Sequence, residues 1–120
     1  MNKHNLLIGI SLVLLSTVSL AHSGKTERIP QIDNAKVKVW KTIIYPSKHQ
    51  KIKMHRHEHD RVVVALTDGT LKVKNDKGKV HYLHFKKEHS YFLTKDVPNE
   101  LHSDQNMSNH PIKVIVVELK

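Results

Sequence analysis

Three histidines stand at alternate positions in the stretch Lys53 to Arg61, which reads K-M-H-R-H-E-H-D-R. In an extended strand alternate side chains share one face, so His55, His57 and His59 would point the same way. Two imidazoles at this spacing can reach one ion, and a third ligand from elsewhere in the fold would complete a site. The same face would carry Arg61, which cannot ligate a metal because its guanidinium has no lone pair to offer.

The first 21 residues are expected to be a secretory signal peptide rather than part of the folded protein. Lys3 gives a positive start, Leu6 to Leu20 are almost uninterrupted apolar and small residues, and Val-Ser-Leu-Ala closes the segment at Ala21. The apolar run of about 15 residues is shorter than the roughly 20 that a membrane-spanning helix needs. We therefore predict cleavage near Ala21, export to a bacterial periplasm or medium, and no membrane association afterwards. The alternative is an uncleaved N-terminal anchor.

The composition allows one small domain that is stabilised by packing alone. The 120 residues include no cysteine, which excludes disulfides, thiolate metal sites and thiol catalysis. The formal net charge of +9 favours anionic surroundings. Its lysines alternate with apolar residues, however, as in Val37-Lys38-Val39, and aromatic residues make up only 5% of the chain. We therefore expect solvated strand faces and no nucleic-acid partner.

Short apolar segments separated by turn residues predict an all-β domain at 36–120, after a polar arm at 22–35. Turn signals such as Thr67-Asp68-Gly69 separate these segments, and no stretch has a sustained helical period. About eight short strands in fewer than 100 residues indicate a small sandwich or barrel. Val64 is expected in the buried interior of a strand. The predicted strands cover residues 36–45, 52–57, 60–66, 70–75, 79–85, 90–94, 100–105 and 111–119.

The histidine stretch and a later segment together resemble the two sequence motifs of the cupins. Met54 to Leu66, followed by Gly69, is similar to the first motif, with its His-x-His pair, apolar strand and turn glycine. Residues 97–106 resemble the second motif, with a proline, a histidine and an asparagine in order. The resemblance covers about residues 37–120 and implies a small jelly-roll barrel with a metal site inside.

The resemblance also implies a set of metal ligands. These are His55, His57 and His102, with His59 as an alternative or fourth ligand. Three neutral imidazoles suit Fe, Ni, Cu or Zn better than Mg or Ca, and they leave open positions for water or substrate. Three further motif positions are structural rather than ligating: Gly69, Pro98 and Asn106.

Arg61 stands where the resemblance would place a ligand glutamate. A positive charge about 6 Å from a divalent ion is unfavourable by roughly 5 kcal/mol at an effective dielectric near 20. The strand could bulge and turn Arg61 away, or Glu58, Asp60 or Asp104 could neutralise it. Metal and arginine could instead hold an anion between them, since a guanidinium suits a carboxylate or phosphate. In the fourth alternative the domain has lost its metal.

Three functions follow from these alternatives. The first is an exported cupin that binds a transition metal and an anionic small molecule; as an enzyme it would catalyse metal-assisted oxidation or isomerisation of a carboxylate-bearing substrate. The second is a periplasmic metal or small-anion binding module without turnover. The third is a metal-free cupin with an interaction role. In each case the resemblance implies a homodimer formed through the sheets.

Overall fold

The protein folds into β-strands joined by turns and loops, in a computed structural model that describes residues 26–46 and 53–120. No helix in this part of the chain is long and apolar enough to cross a membrane. The predicted signal peptide at 1–21 lies outside the described residues. The strands in order are β1 (Glu27–Asp33), β2 (Val37–Ile44), β3 (Arg61–Ala65), β4 (Gly69–Asn75), β5 (Val80–Phe85), β6 (Ser90–Leu93), β7 (His102–Asn106) and β8 (Ile112–Leu119). The expected all-β class and strand number are confirmed for the described residues.

The strands form two antiparallel sheets. One sheet has five strands in the order β1-β2-β8-β3-β6, and the other has three in the order β5-β4-β7. The last strand, β8, therefore lies between β2 and β3, while β7 pairs with β4 in the opposite sheet. Strands that are distant in sequence become neighbours in this way, which is the connectivity of a jelly-roll barrel.

The inner faces of both sheets supply one core. In β3 burial alternates with a period of two, so Arg61, Val63 and Ala65 are buried whereas Val62 and Val64 are half-buried on the other face. Val64 therefore does not occupy the interior position that the sequence predicts. The buried apolar residues of the core are Trp40, Ile44, Val63, Ala65, Leu71, Val73, Phe85, Ile112, Val114 and Val116.

Two strand predictions differ from the structure. The sequence predicts a polar arm up to residue 35, but Glu27–Asp33 form the edge strand β1 beside β2. All seven residues of β1 are exposed, so the strand has no apolar alternation to reveal it, and its register with β2 shifts after Pro30. Conversely, the predicted strand at 52–57 is wrong over its described part. There, His55 forms only an isolated bridge with His102.

Gly69 opens β4 at a point where the side chain of Ile112 approaches the backbone. A Cβ on Gly69 would lie 2.8 Å from Ile112 Cδ1, and Ile112 itself is 0% exposed. We therefore expect Gly69→Ala to lower the free energy of unfolding by about 1–3 kcal/mol, because a tight core resists added volume. Urea denaturation measures this loss. A double-mutant cycle with Ile112→Ala is the control. If the losses of the two single variants simply add up in the double variant, the contact between Gly69 and Ile112 does not cause the destabilisation.

Candidate metal centre

His55, His57 and His102 lie together on the wall of the cavity between the two sheets. One ring nitrogen from each lies within 4.8 Å of the other two. The ring centroids are 4.4 Å apart for His55 and His102, 5.0 Å for His55 and His57, and 5.3 Å for His57 and His102. The structure thus brings together the three histidines that the sequence analysis proposed as metal ligands.

Backbone hydrogen bonds hold these histidines in place although their segment is not a regular strand. His102 begins β7 and exchanges two backbone hydrogen bonds with His55, of 2.8 and 2.9 Å. The amide of His57 donates to Asp96 Oδ2 at 2.6 Å, and its carbonyl accepts from the Asp96 amide at 2.9 Å. The segment is therefore pinned by β7 on one side and by the loop before β7 on the other.

Hydrogen-bond partners leave one nitrogen of His55 and one of His102 available. His55 Nδ1 lies 2.9 Å from the carbonyl oxygen of Lys53, so it donates its proton there and Nε2 keeps the lone pair. His102 Nδ1 lies 3.3 Å from Asp96 Oδ2. Partners of this kind fix the tautomer and the ring orientation of a ligating histidine. The Nε2 atoms are thus the candidate ligand atoms, and they lie 3.4 Å (His55) and 3.8 Å (His102) from oxygens of the Asp104 carboxylate.

The three imidazoles differ in their protonation. Burial, together with the nearby Arg61 charge, lowers the pKa of His57 to about 3. Burial also lowers the pKa of His102 from its ordinary value, whereas interaction with the Asp104 carboxylate raises the pKa of His55. His57 and His102 are therefore neutral and ready to bind a metal at pH 7. His55 is the imidazole that must release a proton in mildly acidic solution.

His59 does not join this group. Its side chain is 48% exposed, and its Nε2 lies 3.8 Å from Glu118 Oε1. Because residues 55–59 do not form a regular strand, the third histidine of the stretch does not share a face with the first two. A different histidine, His81, lines the same cavity although sequence reasoning assigned it no role.

Arg61 points into the cavity from the inner face of β3. The residue is 8% exposed, and Nη1 donates to the carbonyl oxygen of Thr94 at 3.4 Å. Within residues 26–46 and 53–120, no carboxylate lies within ion-pair distance of it. The alternative in which a bulge turns Arg61 away is therefore wrong. Burial lowers the pKa of Arg61, and the charges of Asp96, Asp104 and Glu118 oppose that shift without a direct ion pair. A buried guanidinium with no direct ion-pair partner is costly, and an anionic ligand would stabilise it.

The cavity is large enough for a small molecule beside the histidines. Its volume is about 710 Å³, within the range typical of ligand sites, and apolar side chains from both sheets contribute to its lining. Trp40 also lines it, and the indole N–H has no hydrogen-bond acceptor among the described residues. The Arg28 guanidinium lies 4.8 Å above the Trp40 ring. The cavity therefore combines apolar walls with donors and positive charge.

The remaining motif residues lie away from the histidines or make backbone contacts. Asn106 is 4% exposed; its Nδ2 donates to the carbonyl oxygens of Ile44 and His110, both at 2.8 Å, and its Oδ1 accepts from the Ser108 amide at 2.8 Å. Pro98 is exposed in the loop between β6 and β7. The Asn106 side chain thus joins the end of β7 to the end of β2.

Two acidic residues lie beside the histidines; sequence reasoning missed Asp96 and considered Asp104 only as a partner of Arg61. Asp96 contacts both His57 and His102, but it lies in a loop, where no periodicity indicates the direction of a side chain. Asp104 lies 3.4 Å from His55 Nε2. The sequence did contain a signal for it, because residues two apart on a strand share a face and Asp104 follows His102 by two.

The two-sheet barrel and the histidines on its inner wall define a cupin domain. Among solved structures the chain is similar to a cupin domain from Bordetella pertussis Tohama I, with a TM-score of 0.67 and 27% identity over 80% of this chain and 94% of that chain. An RmlC-like cupin from Methanocaldococcus jannaschii has a TM-score of 0.58 over 82% of this chain and 83% of its own; at 10% identity it shows the fold alone. No family model matches the sequence.

The chain is also similar to one named protein over nearly the whole length of that protein. The Beta-alanine degradation protein BauB of Pseudomonas aeruginosa is 35% identical over 100 residues, which are 82% of this chain and 99% of that protein. The chain therefore belongs to the same family as BauB, and its fold is that of a cupin.

Proposed function

We propose that this protein is an exported cupin that binds a divalent transition metal through His55, His57 and His102 and takes an anionic small molecule into the adjoining cavity. The observation that carries the proposal is the convergence of three imidazole nitrogens in the same cavity as Arg61, which is buried and lacks a carboxylate partner among the described residues. Fe, Ni, Cu and Zn are the metals that suit this donor set.

The chemistry of the donors fits a metal. Two of the imidazoles have lowered pKa values, and hydrogen-bond partners turn the Nδ1 atoms of His55 and His102 away from the shared centre. A bound metal would act as a Lewis acid that polarises a bound substrate or water. The chain's own contributions are separate: Asp96 orients His102, and the apolar cavity walls exclude water from the bound molecule.

The positive charge of Arg61 supports an anionic substrate. A guanidinium binds a carboxylate through two parallel hydrogen bonds, and such a ligand would give Arg61 the partner that the described residues do not provide. The relative BauB is named for β-alanine degradation, and β-alanine carries one carboxylate. We therefore propose a small carboxylate-bearing molecule as substrate, with oxidation or isomerisation as the reaction class. The proposal of export rests on the sequence pattern of residues 1–21 alone.

Elemental analysis and metal titration test the proposal. Protein purified from the periplasm without a histidine tag or chelator is expected to contain near-stoichiometric Fe, Ni, Cu or Zn. His57→Ala should bind Zn²⁺ at least about 100-fold more weakly, because it removes a ligand. The matched control is His89→Ala, which changes an exposed histidine and should keep the wild-type affinity. Full metal retention in His57→Ala, or no metal in the wild type after reconstitution, would contradict the proposal.

A further inference from the structure

We propose that Asp104 is the acidic ligand of this centre and that it replaces, from a different strand, the glutamate whose position Arg61 occupies. This inference rests on the proposed function, since it concerns the same metal. It goes further because it assigns a carboxylate ligand at a position of the second motif to which the resemblance gives no role. The ligand set would then be three imidazoles and one carboxylate: His55, His57, His102 and Asp104.

The first observation is the distance from the carboxylate to the free imidazole nitrogens. Asp104 Oδ2 lies 3.4 Å from His55 Nε2, and Asp104 Oδ1 lies 3.8 Å from His102 Nε2. These are the nitrogens that the backbone and Asp96 leave available. In a tetrahedral site with metal–ligand bonds near 2.1 Å, neighbouring ligand atoms lie about 3.4 Å apart. The carboxylate therefore stands at the separation that ligands of one ion require.

The second observation is the position of Asp104 on its strand. His102 and Asp104 are two apart on β7, so their side chains share the inner face of the sheet, opposite Asn75 and Val73 of β4. The Asp104 side chain is only 13% exposed, and its ion-pair contacts within residues 26–46 and 53–120 are the two imidazoles. A largely buried carboxylate is stabilised by a positive partner, which either protonated His55 or a metal between those imidazoles would provide.

The third observation is the charge of the site. A divalent ion held by neutral imidazoles beside the buried guanidinium of Arg61 would place three positive charges in one cavity. Asp104 would lower that charge at the ion itself, and it also opposes the Arg61 charge without a direct ion pair. Its charge therefore offsets the repulsion that the exchange of glutamate for arginine creates. Arg61 donates to the Thr94 carbonyl through Nη1, and its other donors can bind an anionic substrate.

Titration with Co²⁺ tests the assignment, because the visible absorption of Co²⁺ reports the number and type of its ligands. The variants are Asp104→Asn, which removes the charge at nearly constant volume, and Glu88→Gln. Glu88 is exposed between β5 and β6 and does not line the cavity, so its variant controls for a general loss of negative charge. We expect Asp104→Asn to weaken Co²⁺ binding at least about 100-fold and to change the visible spectrum. Glu88→Gln should leave affinity within about twofold and the spectrum unchanged.

The outcomes separate this inference from the function on which it rests. An unchanged spectrum with less than a tenfold loss of affinity in Asp104→Asn would overturn the ligand assignment while leaving the three-histidine site intact. A wild type that binds no Co²⁺ would overturn both. If Asp104→Asn does not fold, a crystal structure of Zn²⁺-loaded wild type decides instead. An Asp104 oxygen within about 2.2 Å of the ion supports the assignment, and a water in that position overturns it.

Discussion

Val63→Asp is expected to lower the free energy of unfolding by more than about 4 kcal/mol, which is enough to unfold most of the protein. Val63 is 4% exposed on the inner face of β3, where Tyr91 and Val116 are its neighbours in the adjacent strands. A carboxylate there would lose its hydration among apolar side chains, and the Arg61 charge two positions away on the same face would offset only part of that cost. Urea denaturation followed by circular dichroism measures the loss.

The matched control is the same change one position later. Val64 is half-buried on the opposite face of the sheet, beside Ser90 and Ile115, so water can still reach an aspartate placed there. Val64→Asp should cost about 1–2 kcal/mol, the range of ordinary single substitutions. A loss at Val64 equal to or larger than that at Val63 would mean that the faces of β3 are assigned the wrong way round.

Val63 and Val64 also show which feature of the fold the sequence does not predict, namely the face of a strand that is buried. Val62, Val63 and Val64 form a continuous apolar run, which predicts a strand but carries no alternation to say which face is inside. Only the pairing of β3 with β6 and β8 fixes the face. Strand β1 could not be predicted for a different reason: all its residues are exposed, and only its pairing with β2 makes it a strand.

For the candidate site, the sequence predicted the three histidines but not the way in which they meet. The prediction placed His55, His57 and His59 on one strand face, and this periodicity wrongly implied that His59 belongs with the others. The cluster instead depends on a backbone bridge between His55 and His102, and on the loop residue Asp96. These contacts join residues that are 47 positions apart (His55 and His102) and 39 positions apart (His57 and Asp96), and no local pattern encodes them.

Arg61→Glu is expected to tighten binding of Zn²⁺ by at least about 100-fold. Arg61 lies buried on the cavity wall, and its charge is one cause of the lowered pKa of His57, so the two groups interact. At an effective dielectric near 20, each unit of charge about 6 Å from a divalent ion changes the energy by roughly 5 kcal/mol before solvent screening. Isothermal titration with Zn²⁺ in a competing chelator measures the affinity.

Arg61→Gln separates the two parts of this effect, because it removes the positive charge without adding a carboxylate. Its affinity for Zn²⁺ should lie between those of the wild type and Arg61→Glu. The same neutral variant should lose the anion site, so acetate should alter the visible spectrum of Co²⁺-loaded wild type but not that of Arg61→Gln. Equal Zn²⁺ affinity in all three proteins would show that the guanidinium is out of electrostatic reach of the metal. A gain in metal affinity together with a loss of acetate binding would mean that Arg61 weakens the metal site and in exchange provides a positive charge for an anionic substrate.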